Sequence, residues 1–99
     1  MDIALLSFND FNSLLNTIFK IQISDEIQLD AELTEVTELN NYSPLERSPF
    51  SLVFRTEQKN EYYEQGIFTI VHPLKGNLDL FLTPIGFDKV GMTYEAVFS

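Results

Sequence analysis

The chain has 99 residues, 44% of them hydrophobic and 13% aromatic. That is the length of one domain with enough apolar area for one core, which excludes a disordered chain. Fifteen acidic residues against six basic ones give a net charge of −9, a field that repels nucleic acid and anionic lipid and attracts basic partners. Cysteine is absent, which removes disulfide frameworks, thiolate metal sites and cysteine nucleophiles.

The N-terminal stretch MDIALLSFNDF carries an acid where a secretory signal carries basic residues, and Ser7, Asn9 and Asp10 interrupt its apolar run. It reads as no signal peptide. No apolar run reaches the length of a bilayer span, so no membrane partner is expected, and the expected location is the cytoplasm or a protein assembly. Ser7 followed by Asp10 resembles a capping box with Asp in place of Glu, and Phe8, Phe11, Leu15 and Ile18 follow at helical spacing. The spacing predicts a helix over 7–16 whose apolar face lies against a sheet, plugging an open end being one way to cover it.

From Phe19 the period changes to two: Phe19, Ile21 and Ile23 alternate with Lys20, Gln22 and Ser24, a strand over 18–24. Asp25 and Glu26 make a turn. Residues 27–39 fit both templates, Leu29, Leu33 and Val36 suiting a helix and Ile27, Leu29, Ala31 and Leu33 suiting a strand. A strand bulged near Thr34 or Glu35 reconciles the phase and is preferred. Residues 40–49 read as a loop that holds a formal glycosylation acceptor at Asn41. A strand over 50–56 follows, with Phe50, Leu52 and Phe54 on one side; Val53 on the other suggests that this face too is partly covered.

Residues 57–64 are polar except for Tyr62 and Tyr63 and read as a long exposed loop. Strands over 66–72 and 77–83 then flank a connection through His72, Pro73, Leu74, Lys75 and Gly76, the signature of a hairpin around which the chain is organised. Pro84 is expected to end the ladder or to face an edge. A polar turn over 87–91 leads to a last strand, 92–98, in which Met92, Tyr94, Ala96 and Phe98 alternate with Thr93, Glu95 and Val97. Six short strands and one early helix make a mainly β domain over 1–99: a small antiparallel six-stranded barrel or a strongly curled sheet, with the helix packed against it. Closure removes two exposed edges, and apolar residues on both faces of the central strands favour it.

Chemistry is scarce. His72 is the single histidine. No nucleophile elbow accompanies it, so it reads as a turn residue whose ring hydrogen-bonds locally. One histidine without cysteine makes no zinc set, the acids lack the spacing of a calcium loop, and the four glycines punctuate strands instead of forming a phosphate loop. No catalytic residue, metal or cofactor is expected, and no enzyme activity. Between Lys20 and Arg47 there is no basic residue, while Asp25, Glu26, Asp30, Glu32, Glu35, Glu38 and Glu46 all fall there. This predicts an acidic face, read first as a solvated one. Surface recognition remains: Tyr62 and Tyr63 with Arg55 have the composition of a partner contact, against the alternative that the tyrosines fold back over an open sheet end.

The pieces FSLVFR (50–55), QGIFTIVHP (65–73), Gly76, LFLTPIG (80–86) and YEAVF (94–98) also carry a resemblance. In that order and spacing the chain resembles a family of bacterial domains of about this length known only as a domain of unknown function. The likeness covers essentially the C-terminal half, with looser agreement from Phe11 to Phe19 and least from Asp25 to Pro49. Members of that family are often encoded beside proteins resembling phage tail collar or tail fibre proteins. The resemblance therefore implies a small accessory or structural component of a tail-like assembly, with a protein partner and no enzyme activity, and it carries no functional residues to transfer. The competing expectation, from charge and size, is an acidic inhibitor that mimics nucleic acid on a basic protein.

Overall fold

The computed structural model describes residues 6–39 and 49–98. They form a short helix, α1 (Asn9–Asn12), and six strands: β1 (Ile18–Gln22), β2 (Gln28–Glu38), β3 (Phe50–Arg55), β4 (Gly66–His72), β5 (Gly76–Phe87) and β6 (Met92–Phe98). The strands close in the order β1-β2-β3-β6-β5-β4, every pair antiparallel. Pairing of Ile21 on β1 with Ile70 on β4 completes the ring. The sheet is thus a closed barrel and not an open curl, so no strand is left as an edge along its whole length. The loop expected over 40–49, with the acceptor at Asn41 and Glu46, lies outside the described residues apart from Pro49.

Period-two alternation explains which side chains face inward. Phe50, Leu52 and Phe54 of β3, Leu78, Leu80 and Leu82 of β5, and Met92, Tyr94, Ala96 and Phe98 of β6 are all buried. Val53, on the opposite phase, is buried as well. On β2 the register with β3 slips between Leu33 and Glu35, and Thr34, the skipped residue, donates its hydroxyl to the Val53 carbonyl at 3.3 Å. The slip inverts the phase, so that Leu33 and Val36 both pair with inward residues, Phe54 and Leu52.

Two elements depart from the periodicity. The helix spans four residues, not 7–16, because the following backbone is captured by the sheet. Asn16 takes a left-handed φ of 70° and donates its N–H to the Leu33 carbonyl at 2.7 Å, while Leu33 N–H returns to the Thr17 carbonyl at 3.0 Å. Leu15 and Ile18 are consequently exposed. The capping box forms by half: Ser7 N–H donates to Asp10 Oδ2 at 2.7 Å, and Ser7 Oγ turns to the same oxygen.

The other departure is β5, which runs past Pro84 to Phe87. Pro84 stands in the ladder opposite Tyr94, the register slips at Ile85, and Gly86 pairs with Thr93. Gly86 has φ 138°, a conformation that a side chain would strain, and its carbonyl accepts the Thr93 hydroxyl at 2.6 Å. A bulge, and no chain break, is how the strand absorbs a proline without an N–H. The polar turn that follows is shorter than expected, with Asp88 Oδ1 accepting the N–H groups of Val90 and Gly91 at 2.8 and 2.9 Å.

Candidate interaction surface

The barrel has two ends, and they are closed by different residues. At the end where β1 begins, α1 inserts Phe11. Its ring lies 5.9 Å from both Phe50 and Phe98 and 5.2 Å edge-on from His72. Phe50 and Phe98, register partners on β3 and β6, stack at 4.4 Å. His72 is only 2% exposed. Its Nδ1 accepts the N–H groups of Leu74 and Lys75, each at 3.0 Å, which puts the ring proton on Nε2, 2.8 Å from the Asp10 carbonyl. The local bonds match the expectation of a turn residue. The bond to α1, spanning 62 positions of sequence, is what the sequence did not suggest: His72 ties the plug to the β4–β5 turn.

At the opposite end the closure is polar. Tyr94 donates its hydroxyl to Gln58 Oε1 at 2.6 Å and accepts the Tyr63 N–H at 3.0 Å. Burial holds the Tyr94 phenol above its ordinary pKa against the opposing Tyr63 N–H. Thr56 donates its hydroxyl to the Met92 carbonyl at 3.0 Å, and Met92 N–H donates to the Gln58 carbonyl at 2.8 Å. Gln58 Nε2 is buried with no partner among the described residues. Gly91 permits this closure, since a Cβ there would meet the Thr56 carbonyl oxygen at 2.1 Å.

The three residues singled out as a partner contact therefore divide. Tyr63 is half-buried over this end, lining it with Ile21, Ile23, Leu29, Phe68 and Tyr94. Tyr62 is 53% exposed and sets its ring edge-on to Phe87, itself half exposed, at 6.4 Å. Arg55 meets neither tyrosine in any ring or hydrogen-bond contact among the described residues. It bridges Glu32 at 3.0 Å and Asp88 at 3.4 Å. Burial lowers the Arg55 pKa, and those two acids outweigh it and raise the guanidinium further.

The acids of the predicted negative face are strung along the height of the barrel instead of clustering. Asp25 and Glu26 lie exposed in the β1–β2 turn, and Glu35 and Glu38 lie exposed beyond the bulge. Asp30 pairs with Lys20, and Glu32 with Arg55.

What the sequence reading missed is an asymmetry of the outer wall. The outward residues of β1 and β2 include Lys20, Asp30 and Glu32, whereas β4, β5 and β6 expose Ile67, Phe81, Ile85, Phe87 and Val97. β1 and β2 expose a single large apolar residue, Ile18. The apolar outer phase of the central strands was legible, but it reads equally well as a sign that both faces are covered.

The fold and these surfaces define a small closed β-barrel of helix-plugged type. The sequence model described as Domain of unknown function (DUF6916) matches residues 6–98, and the chain belongs to that family. No curated protein and no solved structure matches it. No helix among the described residues is long and apolar enough to cross a membrane.

Proposed function

We propose that this domain is a non-enzymatic interaction module, a small structural accessory that packs against a protein partner. The observation that carries the reading is the apolar outer wall: five large apolar side chains exposed on three adjacent strands of a protein whose other wall is charged. Large apolar side chains exposed together on one wall of a small acidic protein serve contact with something. Tyr62, edge-on to Phe87, extends it at the rim, where a large ring buries area at low entropic cost. The family resemblance stated above supports a tail-like or fibre-like assembly as the setting.

The reading as a nucleic-acid mimic has less behind it, because the cations Lys20 and Arg55 are interleaved with the acids of β2. A decoy for a basic groove calls for uncompensated charge.

The test is affinity capture with chemical crosslinking from the native host. The expected result is a protein crosslinked at or beside β4–β6, with similarity to tail collar or fibre proteins. Capture of an unrelated protein through the same wall removes the tail-like setting and keeps the module; no stoichiometric protein at all removes both.

A further inference from the structure

The outer wall holds a row of three side chains. Ile67 of β4 stands opposite Phe81 of β5, and Val97 of β6 lies two residues beyond the Thr83–Glu95 pair, across the seam from Phe81. All three are more than half exposed, at 71%, 53% and 59%. Nothing in the fold requires apolar side chains there, since their neighbours Leu80, Leu82 and Ala96 already fill the core.

The seam itself is incomplete. Among the described residues β5 and β6 pair from Thr83 to Phe87 and from Met92 to Glu95, while the first half of β5 pairs only with β4. Beyond the last pair a notch of about 260 Å³ opens, lined by Ile67, Asp79, Phe81 and Val97 with the buried Leu80 and Ala96 beneath. That is below the roughly 300–1,000 Å³ of small-molecule sites and suits one side chain of a partner.

Charge selects the occupant. β4, β5 and β6 contain no lysine or arginine, and the charged side chains on their outer face are Asp79 and Glu95. These flank the row, Asp79 two residues before Phe81 and Glu95 two residues before Val97. Of the described cations, Lys20, Arg55 and Lys75 are committed to Asp30, to Glu32 and Asp88, and to Asp10, Lys59 bonds the Val90 carbonyl, and Lys89, in the turn between β5 and β6, is exposed. A second copy would set acid against acid, each chain carrying −9.

We propose that the Phe81–Val97 notch receives one large apolar side chain of a partner segment flanked by lysine or arginine, the basic groups reaching Asp79 and Glu95. This rests on the reading of the domain as an interaction module and names the place and the partner's chemistry. The apolar anchor supplies affinity, and the two acids select partner and orientation.

The test is a titration of isotope-labelled protein, followed by amide shifts, with an amidated heptapeptide of alternating lysine and apolar residues centred on phenylalanine. Its glutamate counterpart serves as the second probe. The lysine peptide is expected to move the amides around Phe81 and Val97, with affinity falling about tenfold in Phe81→Ser and several-fold in the Asp79→Asn, Glu95→Gln double variant. Because Phe81 is exposed its variant should keep the wild-type melting temperature; if it does not, Val97→Ser supplies the same readout. Equal binding of the glutamate peptide, shifts elsewhere, or undiminished binding by the serine variants overturns the proposal. A sedimentation dimer abolished by Phe81→Ser overturns it in favour of a second copy. In the capture experiment, a crosslinked partner retained by Phe81→Ser sinks the notch and leaves the module standing, whereas no partner for the wild-type chain sinks both.

Discussion

The two ends of the barrel solve one problem with different chemistry. An antiparallel barrel of six strands has a core open at top and bottom, and both openings must be kept from water. At one end a single turn of helix drops Phe11 among Phe19, Phe50, Phe98 and His72. Contact there is ring on ring, and the one polar ring, His72, is satisfied on both nitrogens. At the other end a loop lies across the opening and is held by Tyr94, Gln58 and Thr56 through hydrogen bonds. The first closure is stabilised by buried apolar area and ring packing, with little reliance on hydrogen bonds. The second depends on distances, and it carries the orphan Gln58 Nε2. The plugged end is therefore expected to be the more stable of the two, and the loop end the first to open.

The plug is where the largest loss is expected. Phe11→Ala deletes a wholly buried ring and should cost about 3–5 kcal/mol, read as a lowered denaturant midpoint. A value near that of an exposed residue would show that the helix is ornamental. His72→Ala comes next, at about 2–3 kcal/mol, because it removes a buried ring packed on Phe11 and Phe19 together with its hydrogen bonds to the Leu74 and Lys75 N–H groups and the Asp10 carbonyl. Hydrogen exchange sharpens it: Leu74 and Lys75 amides should lose protection while the Tyr63 amide keeps its own. At the loop end Gly91→Ala drives a methyl into the Thr56 carbonyl, and strain of about 2–3 kcal/mol is expected, with faster exchange at Thr56 and Met92 first.

How much of this was legible follows from what each residue answers to. The barrel strands answer to period two, so the inward sets of β3, β5 and β6 could be read directly, and even the phase slip near Thr34 showed as a conflict between Leu33 and Val36. Helix α1 answers to something the sequence does not display, the Leu33 carbonyl that takes the Asn16 N–H, and helical spacing from Leu15 to Ile18 proved to be accident. Proline at position 84 looked like a terminus or an edge because the bulge that accommodates it, braced by the Thr93 hydroxyl on the Gly86 carbonyl, depends on a neighbouring strand remote in sequence. At the candidate surface Tyr62 and Tyr63 are chemically alike, and only the position of the Tyr94 hydroxyl separates lid from rim. The row of Ile67, Phe81 and Val97 exists only once three strands are in register.

Tyr94→Phe is the finer cut at the loop end. It removes one oxygen and leaves the ring, the Tyr63 N–H and Gln58 Oε1 each losing a partner. The expected cost is about 1–2 kcal/mol. Hydrogen exchange should quicken at Tyr63 and leave Leu74 and Lys75 at their wild-type rates. Equal change at both ends would mean that the two closures are one cooperative unit.

The smallest effect is acid sensitivity, and it assigns one aspartate to each end. At the plug, burial opposes the charge on Asp10, but the Ser7 N–H and the Lys75 ammonium outweigh it and hold the carboxyl below its ordinary value. At the loop end the Gly91 N–H does most to lower Asp88, against burial and with help from Val90 and Arg55. A folded-state value below the unfolded one means that the unfolded chain takes up the proton first. The stabilisation is then full above about pH 4, the ordinary range of an aspartate, and is lost as pH falls through the folded value. Urea unfolding followed from about pH 6 down to about pH 2 should show this limb, and Asp10→Asn should flatten it. Asp88 is solvent-exposed, so salt screens its share, and Asp88→Asn should flatten the limb less and only at low ionic strength. A limb unchanged in Asp10→Asn would place the acid sensitivity outside the plug and erase this part of the difference between the ends.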